Sequence, residues 1–184
     1  MAFLGVLVPN NISSLLSKID VPGEKTPINE FHITLLYFGN DWDIDLASKS
    51  LPIIHEIVSE IKPFTIEANL ITTFPGSEDG VPIIMPIKSK ELTNLYDKLS
   101  KHMDKAKIDF SKKFKFCPHI TLSYSKEKID DRKIDTVSFM VDGLKLWCGD
   151  YQKDNLNINF NMGLKDKHAL INLRSDLFYK FASK

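Results

Sequence analysis

The chain has 184 residues, of which 43% are hydrophobic and 26% charged, and this composition excludes fibrous and intrinsically disordered classes. Lysine plus arginine and aspartate plus glutamate number 24 each, so the protein lacks the positive field that holds long nucleic acid. The balance favours a single globular domain with a small or short anionic ligand.

Two cysteines and the N-terminal apolar run bear on the cellular location. Cys117 and Cys148 have no CxxC spacing and no further ligands for a zinc cage, which predicts a reduced, cytoplasmic protein of a cell or an infected host. Residues 2–8 lack a basic flank and a cleavage site and are followed by Pro9. We therefore expect a first strand there rather than a secretory or membrane segment.

Hydrophobic periodicity predicts alternating strands and helices in the first half of the chain. In order, these elements are a strand at 3–8, a helix at 12–19, a strand at 31–38, a helix at 47–61 and a strand at 64–71. Asn11 or Ser13 is available as the N-cap of the first helix. The segment 74–80 contains proline and glycine, and it predicts a turn or loop that closes this half.

The second half repeats this order. It predicts a strand at 81–87, a helix at 91–103, a strand at 116–124 and a further strand or hairpin at 135–147. The stripe of that helix is predicted to contain Leu92, Leu95, Leu99 and His102. We therefore predict one bilobed α+β domain over residues 1–150, with lobes at approximately 1–80 and 81–150. Residues 151–184 are interpreted as a C-terminal extension packed on this domain, with a strand at 156–160, a turn at 162–163 and a helix at 176–181.

One six-residue motif makes the repeat visible. Residues 32–37 read HITLLY and residues 119–124 read HITLSY, so the two copies differ only at the fifth position. In a strand, the side chains at i and i+2 point to one face, so the histidine and the threonine of each copy project together. A structural repeat needs only the apolar isoleucine and leucine on the other face. The repetition of histidine and threonine therefore predicts a function.

The paired motifs suit phosphodiester chemistry without a metal. If an approximate two-fold axis relates the halves, one neutral imidazole of His32 or His119 takes a proton from water or a ribose hydroxyl, and the other gives a proton to the leaving oxygen. Thr34 and Thr121 are predicted to hydrogen-bond the phosphate oxygens. These four residues form the predicted site; the acid and base roles stay open between the histidines, and neither a metal nor a cofactor is predicted.

The two His-h-Thr-h motifs, in which h is apolar, resemble those of the two-histidine (2H) phosphoesterase superfamily. That group includes 2′,5′ RNA ligase-like proteins, 2′,3′-cyclic phosphodiesterases, the nucleotide-binding domain of some kinase-anchoring proteins, and viral enzymes that cleave 2′,5′-oligoadenylate or cyclic nucleotide signals. The resemblance covers residues 1 to about 150 and retains every motif histidine and threonine. It implies two antiparallel sheets that line a central cleft with helices outside, with the histidines as acid and base and the threonines as phosphate contacts.

Other residues are weaker candidates. The resemblance implies aromatic side chains at the cleft rim, for which Phe74, Tyr124 and Trp147 are available, although strand alternation turns Tyr124 away and Trp147 suits a core. His55 lacks the second histidine of a zinc-protease helix and is expected to be a partly exposed helix residue. A metal between the two motif histidines would have too few ligands.

We therefore predict a metal-independent phosphodiesterase, a hydrolase that acts on nucleotide 2′,3′-cyclic phosphates or on cyclic or 2′,5′-linked oligonucleotide signals. The composition also suits a viral counter-defence enzyme. Its partner is a nucleotide or short oligonucleotide, without long duplex nucleic acid or membrane, and a monomer is favoured. The alternatives are a non-catalytic nucleotide- or RNA-binding module that uses the same cleft, and an RNA-processing ligase, since joining a 2′,5′ bond reverses its hydrolysis.

Overall fold

Three helices lie between strands in the described part of the chain. The computed structural model describes residues 2–40, 44–75, 80–148 and 155–160. The strands are β1 (Ala2–Leu7), β2 (Glu24–Lys25), β3 (His32–Gly39), β4 (Phe64–Thr73), β5 (Val81–Pro86), β6 (His119–Ser125), β7 (Arg132–Val141), β8 (Gly143–Cys148) and β9 (Asn155–Asn159). The helices are α1 (Asn10–Leu16), α2 (Ile44–Ser59) and α3 (Lys90–Lys105). The turn predicted at 162–163 and the helix predicted at 176–181 lie outside the described residues.

The strands form two sheets, and each pairing of neighbouring strands in the described residues is antiparallel. The four-stranded sheet has the order β3-β1-β8-β9, and the five-stranded sheet has the order β2-β6-β5-β4-β7. The prediction of an α+β fold with two antiparallel sheets is confirmed. No helix within the described ranges is long and apolar enough to span a bilayer.

Each half of the sequence contributes a strand to the sheet of the other half. β4 comes from the first half but pairs with β5 and β7, whereas β8 comes from the second half and pairs with β1. A boundary near residue 80 therefore divides the sequence repeat but does not divide the two sheets.

Apolar faces of the helices and sheets share one core. The buried stripe of α2 contains Leu51, Ile54, Ile57 and Val58, and that of α3 contains Leu92, Leu95, Leu99 and Met103. The hydroxyl of Ser89 caps α3 by accepting a hydrogen bond from the backbone N–H of Leu92 at 3.1 Å. The helices cover the core face of the strands and leave the histidine face uncovered by them.

Two helix histidines differ from their predictions. His102 was placed on the apolar stripe of α3, but its side chain is exposed and its Nδ1 lies 2.8 Å from the carbonyl oxygen of Lys98. Met103 occupies the buried position instead, because it lies closer to the centre of the stripe at helical spacing. His55 was expected to be partly exposed, but it is buried in α2.

The first helix starts earlier than predicted, and its cap differs. The backbone N–H of Ser13 bonds to the carbonyl of Pro9 at 2.8 Å, so Pro9 is the N-cap residue. Asn11 and Ser13 both lie inside α1, and no side chain caps it. The hydroxyl of Ser13 instead donates to the carbonyl of Val8 at 3.3 Å.

The segment predicted as a strand or hairpin at 135–147 contains two strands that do not pair as a hairpin. β7 pairs with β4 in the five-stranded sheet, and β8 pairs with β1 and β9 in the other. Only Asp142 separates them, which is shorter than the two-residue loops common in hairpins. The chain therefore crosses between sheets at this residue.

Candidate active site

The two motif histidines begin equivalent strands in different sheets. His32 is the first residue of β3 and His119 is the first residue of β6. β3 and β6 contact each other between the sheets, and the charge of the His119 imidazole lowers the pKa of His32. The structure thus brings the two predicted histidines together from opposite sheets.

The threonines occupy matching positions beside them. His32 and Thr34 are half-buried in β3, as are His119 and Thr121 in β6, whereas the isoleucine between each pair is buried. This alternation agrees with the prediction that one face of each strand packs and the other stays accessible.

Both strands have a one-residue irregularity directly after the threonine. Against β1, the register shifts so that Leu35 is the extra residue of β3. Against β5, it shifts at the equivalent point, and Leu122 is the extra residue of β6. Bulges recur next to active sites, where they turn a side chain. Here they bury two consecutive residues after each threonine.

Each imidazole is oriented by its own chain. Nδ1 of His32 donates to the carbonyl oxygen of Glu30 at 2.7 Å, and Nδ1 of His119 donates to that of Cys117 at 2.7 Å. A carbonyl only accepts, so Nδ1 carries the hydrogen in both rings. In each neutral imidazole the lone pair that can take a proton is therefore on Nε2.

Burial lowers the pKa of both histidines. For His32 desolvation is the largest cause; the bond to Glu30 raises the pKa and the charge on His119 lowers it further. For His119 desolvation again lowers the pKa, and the bond to Cys117 partly offsets it. Repulsion between two imidazolium charges is mutual, so it disfavours protonation of both rings at once and favours a pair that holds one proton.

Aromatic rings contact each histidine. The His32 ring lies 4.7 Å from the Phe3 ring and 5.7 Å from the Trp147 ring, measured between centroids. The His119 ring stacks on Phe74 at 4.9 Å. Trp147 is 1% exposed and therefore belongs to the wall behind His32, whereas Tyr124 is 41% exposed and lies three residues after the motif threonine Thr121.

Sequence reasoning missed Phe3 and Lys145. Phe3 stacks on Trp147 at 4.5 Å and so supports the His32 ring from β1. The ammonium of Lys145 lies 5.5 Å from the centre of the Trp147 ring. The sequence did contain a signal for Lys145, which lies between two leucines in the apolar strand β8. Period-2 alternation places Lys145 on the same face of β8 as Trp147.

No group of three His, Cys, Asp or Glu side chains in the described part of the chain is arranged to hold a metal ion. The side chains that the structure does bring together are two imidazoles and two hydroxyls. These can exchange protons with a substrate and hydrogen-bond an anion.

Solved structures share this fold. They include TT0787 of Thermus thermophilus (TM-score 0.68, 19% identity, covering 87% of this chain and 97% of that one) and E. coli LigT complexed with phosphate (0.61, 16%, 86% and 93%). The MHV ns2 PDE domain is also similar (0.53, 12%, 79% and 97%). At these identities the likeness shows the fold alone.

Among curated protein sequences, none matches this chain. The family model of the 2′-5′ RNA ligase superfamily matches residues 28–152, a range that contains both motifs and most of the two sheets. The chain therefore belongs to the 2′-5′ RNA ligase superfamily, the two-histidine phosphoesterase group that its paired motifs resemble.

Proposed function

We propose that this protein is a metal-independent phosphodiesterase that uses His32 and His119 as its base and acid. The observation that carries the proposal is the matched presentation of the two imidazoles from separate sheets. Each has its Nδ1 hydrogen-bonded to a backbone carbonyl, which fixes the tautomer so that Nε2 carries the lone pair for proton transfer. A repeat that served only to build the two sheets would not require the same orientation of both imidazoles.

The proposed reaction needs one proton taken and one given. The attacking water or ribose hydroxyl loses its proton to Nε2 of His32 as the new O–P bond forms. The bond from phosphorus to the leaving oxygen breaks as that oxygen receives the proton from Nε2 of His119. The pKa shifts support one proton held by the pair, because the charge on one imidazole disfavours a proton on the other. Thr34 and Thr121 are proposed to donate to the non-bridging oxygens.

The proposed substrates are nucleotide 2′,3′-cyclic phosphates, or cyclic or 2′,5′-linked oligonucleotide signals. LigT has been solved with phosphate, ATP and 3′-AMP, and the MHV domain is described as a PDE domain. Those ligands support a nucleotide substrate here, and the viral neighbour supports a role in counter-defence. Cys117 is an exposed free thiol, which supports action in a reducing cytoplasm.

Product analysis in EDTA tests this function. The protein is incubated with 2′,3′-cyclic mononucleotides, 2′,5′-oligoadenylate and cyclic di- and trinucleotides, and the products are separated by chromatography. We expect at least one member to be cleaved at an undiminished rate in EDTA. Binding of these nucleotides without any product would replace the proposal with the non-catalytic binding module.

The pH dependence of kcat/KM is expected to peak on the acid side of the ordinary histidine pKa of 6.5. The reaction needs one neutral and one protonated imidazole, and both pKa values are lowered in the fold. The singly protonated pair therefore becomes populated as the pH falls below 6.5, and it is lost again at lower pH when the second imidazole is protonated. Rates measured from about pH 5 to about pH 9 at constant ionic strength check this. An optimum above about pH 7.5 contradicts it.

A further inference from the structure

A row of side chains crosses the four-stranded sheet from the proposed phosphate site. Thr34 on β3 pairs with Gly5 on β1, Gly5 pairs with Lys145 on β8, and Lys145 pairs with Asn157 on β9. Residues directly opposite one another in an antiparallel sheet point to the same face. These four residues therefore share the face that carries the His32 and Thr34 side chains.

The row has a glycine at its centre and polar side chains at its far end. Gly5 has no side chain, and its backbone is buried against β3. Two strand spacings of about 4.8 Å place the α-carbons of Thr34 and Lys145 about 10 Å apart. The half-buried Lys145 lies between the buried Leu144 and Leu146, and Asn157 is exposed. Lys145 therefore puts a cation two strands away from Thr34 on the same face of the sheet.

A cavity of about 290 Å³ lies at this end of the sheet. The residues that line it include Leu7, Asp142, Lys145, Asn157 and Asn159. Leu7 is the strand partner of His32, so the cavity lies beside the proposed catalytic centre. Its lining offers a cation for a phosphate, two amides that donate and accept, and a carboxylate that can accept from a hydroxyl or an exocyclic amine.

The equivalent row of the five-stranded sheet has different chemistry. Thr121 on β6 pairs with Ile84 on β5, which pairs with Thr72 on β4. Ile84 takes the position equivalent to Gly5, and Thr72 donates its hydroxyl to Asp131. The two sides of the site are therefore unlike: the His119 side has Ile84 between two threonines and the Phe74 ring, and the His32 side has Gly5 between Thr34 and Lys145.

We propose that the cavity beside β8 and β9 is a subsite for a second nucleotide of the substrate, with Lys145 binding its phosphate and Asn157 and Asn159 contacting its base or ribose. This inference rests on the proposed function, and it narrows the classes of substrate proposed there. The favoured class is a linked or cyclic oligonucleotide with at least two phosphates rather than a 2′,3′-cyclic mononucleotide. Lys145 is then a specificity residue with no part in proton transfer.

Lys145 also covers Trp147, so a variant is needed that separates charge from packing. Lys145→Gln retains most of the aliphatic stem over the Trp147 ring and removes the charge, whereas Lys145→Ala removes both. Lys98→Ala is the matched control, because Lys98 is an exposed lysine of α3 that borders the groove between α2 and α3. Thermal unfolding verifies that each variant folds.

Binding is measured by calorimetry with two probes, adenosine 3′-monophosphate and an adenylyl dinucleotide that carries a terminal phosphate in addition to a phosphorothioate linkage that resists cleavage. Wild-type protein should bind the dinucleotide about tenfold more tightly than the monophosphate. Both Lys145 variants should lose about tenfold in affinity for the dinucleotide and remain within about twofold of wild type for the monophosphate. Lys98→Ala should change neither affinity.

The outcomes separate this inference from the proposed function, because the readout is binding and not turnover. Equal losses for both probes, or a wild-type protein without preference for the dinucleotide, overturn the second-nucleotide subsite even if the enzyme cleaves mononucleotides. The expected binding pattern in a protein that cleaves no substrate would support the subsite and reject the phosphodiesterase.

Discussion

Replacement of His32 or His119 by alanine is expected to lower kcat on the cleaved substrate by about 100- to 10,000-fold, because each variant removes one proton-transfer partner. The fold should survive, because both side chains are only half-buried and their backbone contacts remain. His102→Ala is the control: His102 is an exposed histidine of α3, outside the site, and its loss should leave kcat unchanged. Steady-state rates in EDTA, with thermal unfolding of each variant, give the measurement.

A substrate with an activated leaving group separates the two histidine roles. A p-nitrophenyl phosphodiester releases a stable anion that needs little help from a general acid. If His119 is the acid, His119→Ala should retain much of its activity on this substrate, whereas His32→Ala should stay impaired. The reverse pattern would exchange the roles, and wild-type turnover in both variants on every substrate would reject two-histidine catalysis.

Gly5→Ala is expected to destabilise the fold by about 1–3 kcal/mol or more and to reduce turnover with it. A β-carbon at Gly5 would lie 2.4 Å from the carbonyl oxygen of Ile33, closer than any real contact allows. The obstacle is backbone, so β3 must move away from β1. That movement displaces the strand that carries His32 and Thr34.

Gly39→Ala provides the comparison for this change. A β-carbon there meets no atom within 4 Å, although its φ of +94° adds strain for any other residue, on the order of 1–2 kcal/mol. We expect it to lower the melting temperature less than Gly5→Ala and to leave kcat near wild type, because Gly39 ends β3 five residues after Thr34. Chemical denaturation and steady-state kinetics on both variants decide this; equal stability of Gly5→Ala and wild type would contradict the steric argument.

The local parts of the fold could be predicted because local patterns encode them. The alternation around His32 and His119 placed both motifs on strands, and the repeat indicated that they belong to one site. The family assignment that the motifs suggested is confirmed by the family model. The catalytic roles of the two histidines and of Thr34 and Thr121 stay predictions until the variants are measured.

The parts that could not be predicted depend on pairing between distant residues. The periodicity of β8 does not indicate that β8 pairs with β1. The proximity of Lys145 to Gly5 and Thr34 therefore could not be predicted from the sequence. The same holds for the Phe3 ring behind His32, whose position depends on the register between β1 and β3. Gly5 in an apolar strand was a usable sign of close backbone approach, which is a frequent reason for a glycine there.

The crossed placement of β4 and β8 has a consequence for how the chain folds during synthesis. β1 leaves the ribosome well before one of its two neighbours, residues 143–148, is made. Such long-range pairing slows folding, because a large loop must close before the contact forms. One edge of β1 therefore stays unpaired until β8 has been synthesised. In a fragment that ends before β8, the four-stranded sheet is incomplete, and so is the wall behind His32.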